Sequence, residues 1–202
     1  MKIGVLSLQG AFREHREVLD ALGVESIELR TAEPLGAIDA LIMPGGESTT
    51  MSRLLDTSGM RDPLRARLRD GMPVLGTCAG MILLAREVLD GRPDQESFGS
   101  IDIAVRRNGY GRQRDSFESP LEVRGLGGAP FPGVFIRAPR VERVGDAVEV
   151  LALHDDVPVL LRQGPVWVSS FHPELSGDLR LHQRFVNQVQ EQALHEEERV
   201  SR

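Results

Sequence analysis

Three short runs in the first half of the chain are apolar almost from end to end: residues 3–8 (IGVLSL), 38–43 (IDALIM) and 73–76 (PVLG). A strand with one wet face alternates polar and apolar side chains, whereas a strand with no polar face must be covered on both sides. Helical patterns separate these runs. Residues 11–22 (AFREHREVLDAL) set Phe12, Val18, Leu19 and Leu22 against a charged background, with Gly23 as a stop. Residues 61–70 read as a helix with Asp62 as N-cap, Pro63 at its first position and Gly71 closing it. Residues 79–89 (AGMILLAREVL) read as a strongly apolar helix. With a further strand at 25–30, the alternation predicts βαβ units and a parallel sheet.

The second half changes character. Short β-branched runs at 101–105, 121–123, 133–136, 148–153, 157–161 and 166–170 are punctuated by Gly, Pro, Asn and Asp, with no helical period between them. Antiparallel strands follow from that pattern, some extending the main sheet and some forming a small side layer. Residues 178–195 read as a charged closing helix and 196–202 as a frayed tail. The expected architecture is a single flavodoxin-like three-layer α/β domain over residues 1–195. Its central sheet is mostly parallel, with antiparallel strands in the second half.

Composition narrows the function classes. A net charge of −6 disfavours nucleic acid and anionic membranes, because both reward basic surface. No run approaches the roughly 18 apolar residues of a membrane span. No signal-peptide pattern opens the chain and Cys78 is the single cysteine, so a reducing, cytoplasmic setting is expected. A lone cysteine is more often a small buried hydrophobe than a nucleophile, and local geometry decides between the two.

Here the local geometry is specific. Gly76–Thr77–Cys78–Ala79–Gly80 joins a strand to a helix as G-x-C-x-G. The serine version of this pattern is the nucleophile elbow, a strained turn that lifts a side chain above the strand end. Small flanking residues admit a close backbone, and the following helix start offers free N–H groups that favour a thiolate. The Ala79 N–H is placed to donate to an oxyanion. A cysteine nucleophile needs a base, and the base needs a group that holds its tautomer. His172 and Glu174, in Phe171–His172–Pro173–Glu174 after the run 166–170, supply both at another strand end. Taken alone, H-P-E is equally an exposed turn with a solvated glutamate. His154 is the rival base, but the Asp155–Asp156–Val157–Pro158 that follows it reads as a hairpin turn, so it is taken as a loop histidine. His15, His182 and His195 read as surface residues.

A third element, Pro44–Gly45–Gly46–Glu47–Ser48–Thr49, follows the run 38–43. Its glycines expose backbone N–H groups, and Gly46 N–H is a candidate second oxyanion donor. No phosphate-loop or dinucleotide pattern is present. The bland reading is a helix-start loop capped by Ser48 or Thr49. Arg106, Arg107, Arg112 and Arg114 read, by themselves, as a solvated basic loop.

In chain order, P-G-G-E, G-T-C-A-G and H-P-E resemble the class I (triad) glutamine amidotransferases over about residues 2–190. The details are most similar to the glutaminase subunits of pyridoxal 5′-phosphate synthases. Residues 4–11, 44–50, 107–113, 115–118, 133–139 and 170–175 carry that likeness, with Tyr110 where phenylalanine is usual. The resemblance implies Cys78 as nucleophile, His172 as base and acid, and Glu174 as orienter. It implies that Gly45, Gly46 and Glu47 bind L-glutamine, together with Arg107, Ile136 and Arg137. It implies no metal or organic cofactor. The ammonia would pass to a separate synthase subunit in a large hetero-oligomer, with no nucleic-acid or membrane partner. Gln9 and Gly10, ending the first strand, are expected near the site. The competing readings are a glutaminase feeding another synthase, a cysteine hydrolase of related fold, and a binding module with a structural or redox-sensing cysteine.

Overall fold

A computed structural model describes residues 1–92, 95–107, 109 and 116–200. The first half lays down β1 (Lys2–Leu6), α1 (Phe12–Ala21), β2 (Glu25–Leu29), β3 (Ala40–Met43), α2 (Ser48–Thr57), α3 (Arg61–Arg69) and β4 (Val74–Thr77). Then come α4 (Ala79–Leu84), β5 (Ala85–Val88), β6 (Ile101–Arg106), β7 (Ser116–Leu121), β8 (Phe131–Ile136) and β9 (Arg140–Val144). The chain closes with β10 (Glu149–His154), β11 (Val157–Gln163), β12 (Val166–Ser169) and α5 (Arg180–Val200).

Seven strands form the central sheet in the order β10-β11-β12-β4-β3-β1-β2. From β12 to β2 all neighbours are parallel, while β10 and β11 extend one edge antiparallel. Asp155 and Asp156, both at positive φ (46° and 62°), make the tight turn between β10 and β11. The apolar runs explain the burial. Ile3 and Val5 of β1, Ala40 and Ile42 of β3, Leu75 of β4 and Trp167 of β12 face one layer, with Leu19 of α1 and Leu181, Phe185, Val186 and Val189 of α5. Leu6, Leu41, Met43, Val74, Val166 and Val168 face the other, against Met51 and Leu55 of α2, Leu64 of α3 and all of α4 but Gly80. Period-2 alternation thus sorts one sequence into two cores. The side layer is split between a β5-β6-β9 sheet and a β7-β8 hairpin.

Several boundaries differ from expectation. The apolar segment 79–89 is not one helix: α4 stops at Leu84, and Ala85–Val88 pairs parallel with β6. Its first six residues are wholly buried, whereas Arg86 and Glu87 are exposed on an edge strand. Hydrophobicity alone does not separate a buried helix from a buried strand. The N-cap of α3 is Met60, not Asp62, which lies in the first turn and pairs with Arg65 at 3.4 Å. Glu47 caps α2, in place of Ser48 or Thr49. A 3-10 turn at Glu33–Ala37 and strand β9, with its charged exposed positions, were not expected. Helix α5 runs to Val200, beyond the expected end at His195, through good helix formers.

Candidate active site

The site lies at the carboxyl ends of β12, β4, β3 and β1. Cys78 joins β4 to α4 with φ 49° and ψ −101°, a conformation an L side chain rarely adopts. Such strain costs about 1–3 kcal/mol and persists only where the surroundings enforce it. Here Cys78 N–H donates to Ser169 O at 2.8 Å, tying the turn to β12. A Cβ on Gly80 would sit 2.1 Å from Met43 O, and one on Gly76 2.8 Å from Gly80 C, so both must be glycine for strand and helix to approach this closely. Ala79 is the first residue of α4, and its N–H has no intrahelical acceptor.

His172 follows β12, its N–H bonded to Val134 O at 2.8 Å. Its Nδ1 lies 2.8 Å from Glu174 Oε1, and both side chains are buried. A Cβ on Gly45 would sit 2.3 Å from His172 Cε1 and 3.3 Å from Cys78 Cβ, so Gly45 packs against both. Burial works against a charge on His172, yet hydrogen bonds and charge from Cys78 and Glu174 outweigh it and push the imidazole up to about 10. Burial would likewise raise Glu174, but the imidazoles of His15 and His172 hold its carboxyl below the usual range. The arrangement is an imidazolium held between a carboxylate and a cysteine sulfur.

Around it, the loop after β3 is tied to the end of β1. Ala11 N–H donates to Gly45 O at 3.0 Å, and Glu47 N–H to Gln9 Oε1 at 2.8 Å. Gly10 sits at φ 100°, and a Cβ there would lie 1.8 Å from Gly45 O. Burial opposes ionisation of Glu47, but hydrogen bonds from Thr50 and Thr49 hold its carboxyl at about 2. The same carboxylate accepts from Arg107 at 3.2 Å. A pocket of about 280 Å³ opens over the cysteine, lined by Gly46, Glu47, Cys78, Arg107, Ile136, Arg137 and His172, with Gln9, Ser48 and Ile82. Cys78 Sγ lies 3.9 Å from Ile136 O. The residues singled out from the sequence therefore converge, with Glu174 behind His172 and Gly45 beneath it. Asn108, Tyr110, Gly111, Arg112, Gln113, Arg114 and Asp115 lie outside the described residues.

Two histidines expected at the surface are in the interior instead. His15 and His182 are both fully buried, with His15 Nδ1 2.9 Å from His182 Nε2 and His15 Nε2 3.2 Å from Thr77 Oγ1. Their spacing held the signal. Phe12, His15, Leu19 and Leu22 recur on one face of α1, as His182, Phe185, Val186 and Val189 do on α5. His154 ends β10 rather than lying in a loop, its ring against Phe117 and Phe135. His195 is exposed. Among the described residues no helix is long and apolar enough to cross a membrane.

Residues 5–191 match the model of the SNO glutamine amidotransferase family. The chain is 55% identical over 188 residues to the pyridoxal 5′-phosphate synthase subunit PdxT of Frankia casuarinae, covering 93% of this chain and 94% of that one. It is 56% identical over 187 residues to the PdxT of Streptomyces avermitilis, with 93% of each chain covered. A solved glutamine amidotransferase superposes with a TM-score of 0.87 at 52% identity, covering 93% of this chain and 98% of that one.

Proposed function

The chain belongs to the SNO glutamine amidotransferase family, and from that premise we propose that it is the glutaminase subunit of a pyridoxal 5′-phosphate synthase, hydrolysing L-glutamine to L-glutamate and ammonia for vitamin B6 biosynthesis. The observation that carries the reading is the buried His172–Glu174 pair, 2.8 Å apart, beside a cysteine on a positive-φ elbow that opens into a pocket.

In this reading the Cys78 thiolate attacks the side-chain amide carbon of glutamine. The Gly46 and Ala79 N–H groups receive the oxyanion. As the C–N bond breaks, the His172 imidazolium gives its proton to the leaving nitrogen, and ammonia departs from a thioester on Cys78. The neutral His172 then takes a proton from water, which attacks the thioester, releases glutamate and regenerates the pair. Glu174 holds the Nδ1–H tautomer throughout. We assign Arg107 and Arg137, which line the pocket, to the α-carboxylate of glutamine, since guanidinium groups match carboxylates in geometry and charge. Gly45, Glu47 and Ile136 complete the pocket wall. The acyl transfer calls on no metal or organic cofactor.

Ammonia released into water is protonated and lost as a nucleophile, so the subunit is useful only when docked on its consumer. We assign that role to a separate synthase subunit in a large hetero-oligomer, in the cytoplasm. The PdxT name of relatives at 55% identity supports this acceptor over other synthases and over a peptidase. The test is glutamate release from glutamine by wild type and Cys78→Ala, with and without the synthase subunit. Release that rises with the partner and vanishes in the variant is expected. Release indifferent to the partner would overturn the acceptor, and none in any mixture would overturn the glutaminase.

A further inference from the structure

The buried histidines behind the His172–Glu174 pair have no part in the chemistry so far. Glu174 uses Oε1 for His172, and its side chain is fully buried. Its other oxygen, Oε2, has no hydrogen-bond partner among the described residues, and His15 Nε2 stands 3.4 Å from it. A buried carboxylate with one oxygen unmatched is expensive, because nothing replaces its lost hydration.

With both imidazoles neutral, one arrangement of protons sets a donor against an acceptor at each contact among His182, His15 and Glu174. An ionised carboxylate can only accept, so the nitrogen facing it must carry the proton: His15 Nε2–H, shared with Thr77 Oγ1 at 3.2 Å. His15 Nδ1 is then bare and accepts from His182 Nε2–H at 2.9 Å. Reversing the chain would aim two lone pairs at each other across 3.4 Å. Both rings carry a single proton. Burial pushes His15 down, opposed by Glu174 and Glu14 and reinforced by His172. Burial, with His15 beside it, pushes His182 down to about 3. The link reaches across the fold, since His15 sits on α1, His182 on α5 and Thr77 next to the nucleophile.

We propose that His15, its tautomer set by His182, is a positioning residue for Glu174: its Nε2–H is the donor for the second carboxylate oxygen and keeps the Glu174–His172 pair in line with Cys78. The proposal rests on the glutaminase reading for its kinetic consequence, not for its geometry.

The test compares His15→Leu with His15→Gln, whose amide N–H stands where Nε2–H stood, in the complex with the synthase subunit. Outer partners of this kind typically contribute about 10–100-fold to activity. His15→Leu is expected to lower kcat by at least about tenfold, with KM within about twofold. The titration midpoint of His172, followed by imidazole NMR, falls in His15→Leu, and His15→Gln recovers both. Equal loss in the two variants, or no loss in either, would overturn the proposal. Should His15→Leu fail to fold, the ¹⁵N shifts of the wild-type imidazoles decide. A neutral His15 protonated on Nε2 is expected, and a proton on Nδ1 or an imidazolium would overturn it. Wild type that releases no glutamate, but whose His172 midpoint still follows His15, would sink the glutaminase reading and leave the positioning role standing.

Discussion

His172 and Glu174 pull the protein's stability in opposite directions along the pH scale. The imidazole is raised from 6.5 to about 10 in the folded chain, so the native state holds that proton more tightly than the unfolded one does. Its contribution is complete below about pH 6.5 and is lost as pH rises through about 10. The Glu174 carboxyl is lowered from 4.5, so its contribution is complete above that value and is lost as pH falls through the folded one. Wild type is therefore expected to lose more stability than His172→Gln between pH 6.5 and 10. Urea unfolding of both proteins across that window checks this. Parallel curves would mean that the imidazolium is not held by Cys78 and Glu174. In the proposed mechanism the same raised imidazole gives its proton to the departing ammonia, so one electrostatic arrangement serves both stability and chemistry.

At the scale of elements, the short helix α4 does the positioning. It is six residues long and too short to hold itself together, so its place comes from packing. Gly80 lets it press onto the Met43 carbonyl at the end of β3, and Gly76 lets strand and helix meet. Gly80→Ala would drive a methyl carbon to 2.1 Å from a backbone oxygen that has no rotamer to escape into. Overpacking typically costs about 1–3 kcal/mol. A loss in that range by urea denaturation is expected, with glutamate release falling further than the fraction folded because Cys78 moves with the helix. Full activity in a stable Gly80→Ala protein would show that the elbow tolerates displacement. The elbow was legible in the sequence because its glycines and cysteine have few alternative uses at a strand–helix junction. The end of α4 at Leu84 was not, since apolar residues fill buried helix and buried strand alike. Glu47 was legible as a pocket residue but not as the cap of α2, because the capping side chain is chosen by loop geometry. His15 and His182 were misjudged because charged neighbours on each helix obscured the face they share with Phe12 and Phe185.

At the scale of the molecule, the site draws on both apolar layers. Cys78 leads into α4, packed on one face of the sheet, while His15 and His182 come from α1 and α5 on the other. Trp167, the single tryptophan, lies on β12 beside the strand that carries the elbow. Its indole N–H donates to Gln188 of α5 at 2.6 Å, and the guanidinium groups of Arg162 and Arg184 sit 5.7 and 5.1 Å from its ring centroid. Its fluorescence thus reports the docking of α5, and glutamate release reports the elbow on the opposite layer. Chains of this length often unfold through intermediates. If the site depends on both layers, glutamate release cannot outlast the undocking of α5, and the probes must share one midpoint in urea. Trp167 fluorescence, far-UV circular dichroism and glutamate release are expected to coincide. A tryptophan transition at lower urea, with glutamate release intact, would mean that the elbow layer stands alone and that the arrangement of Cys78 and His172 does not need α5 docked.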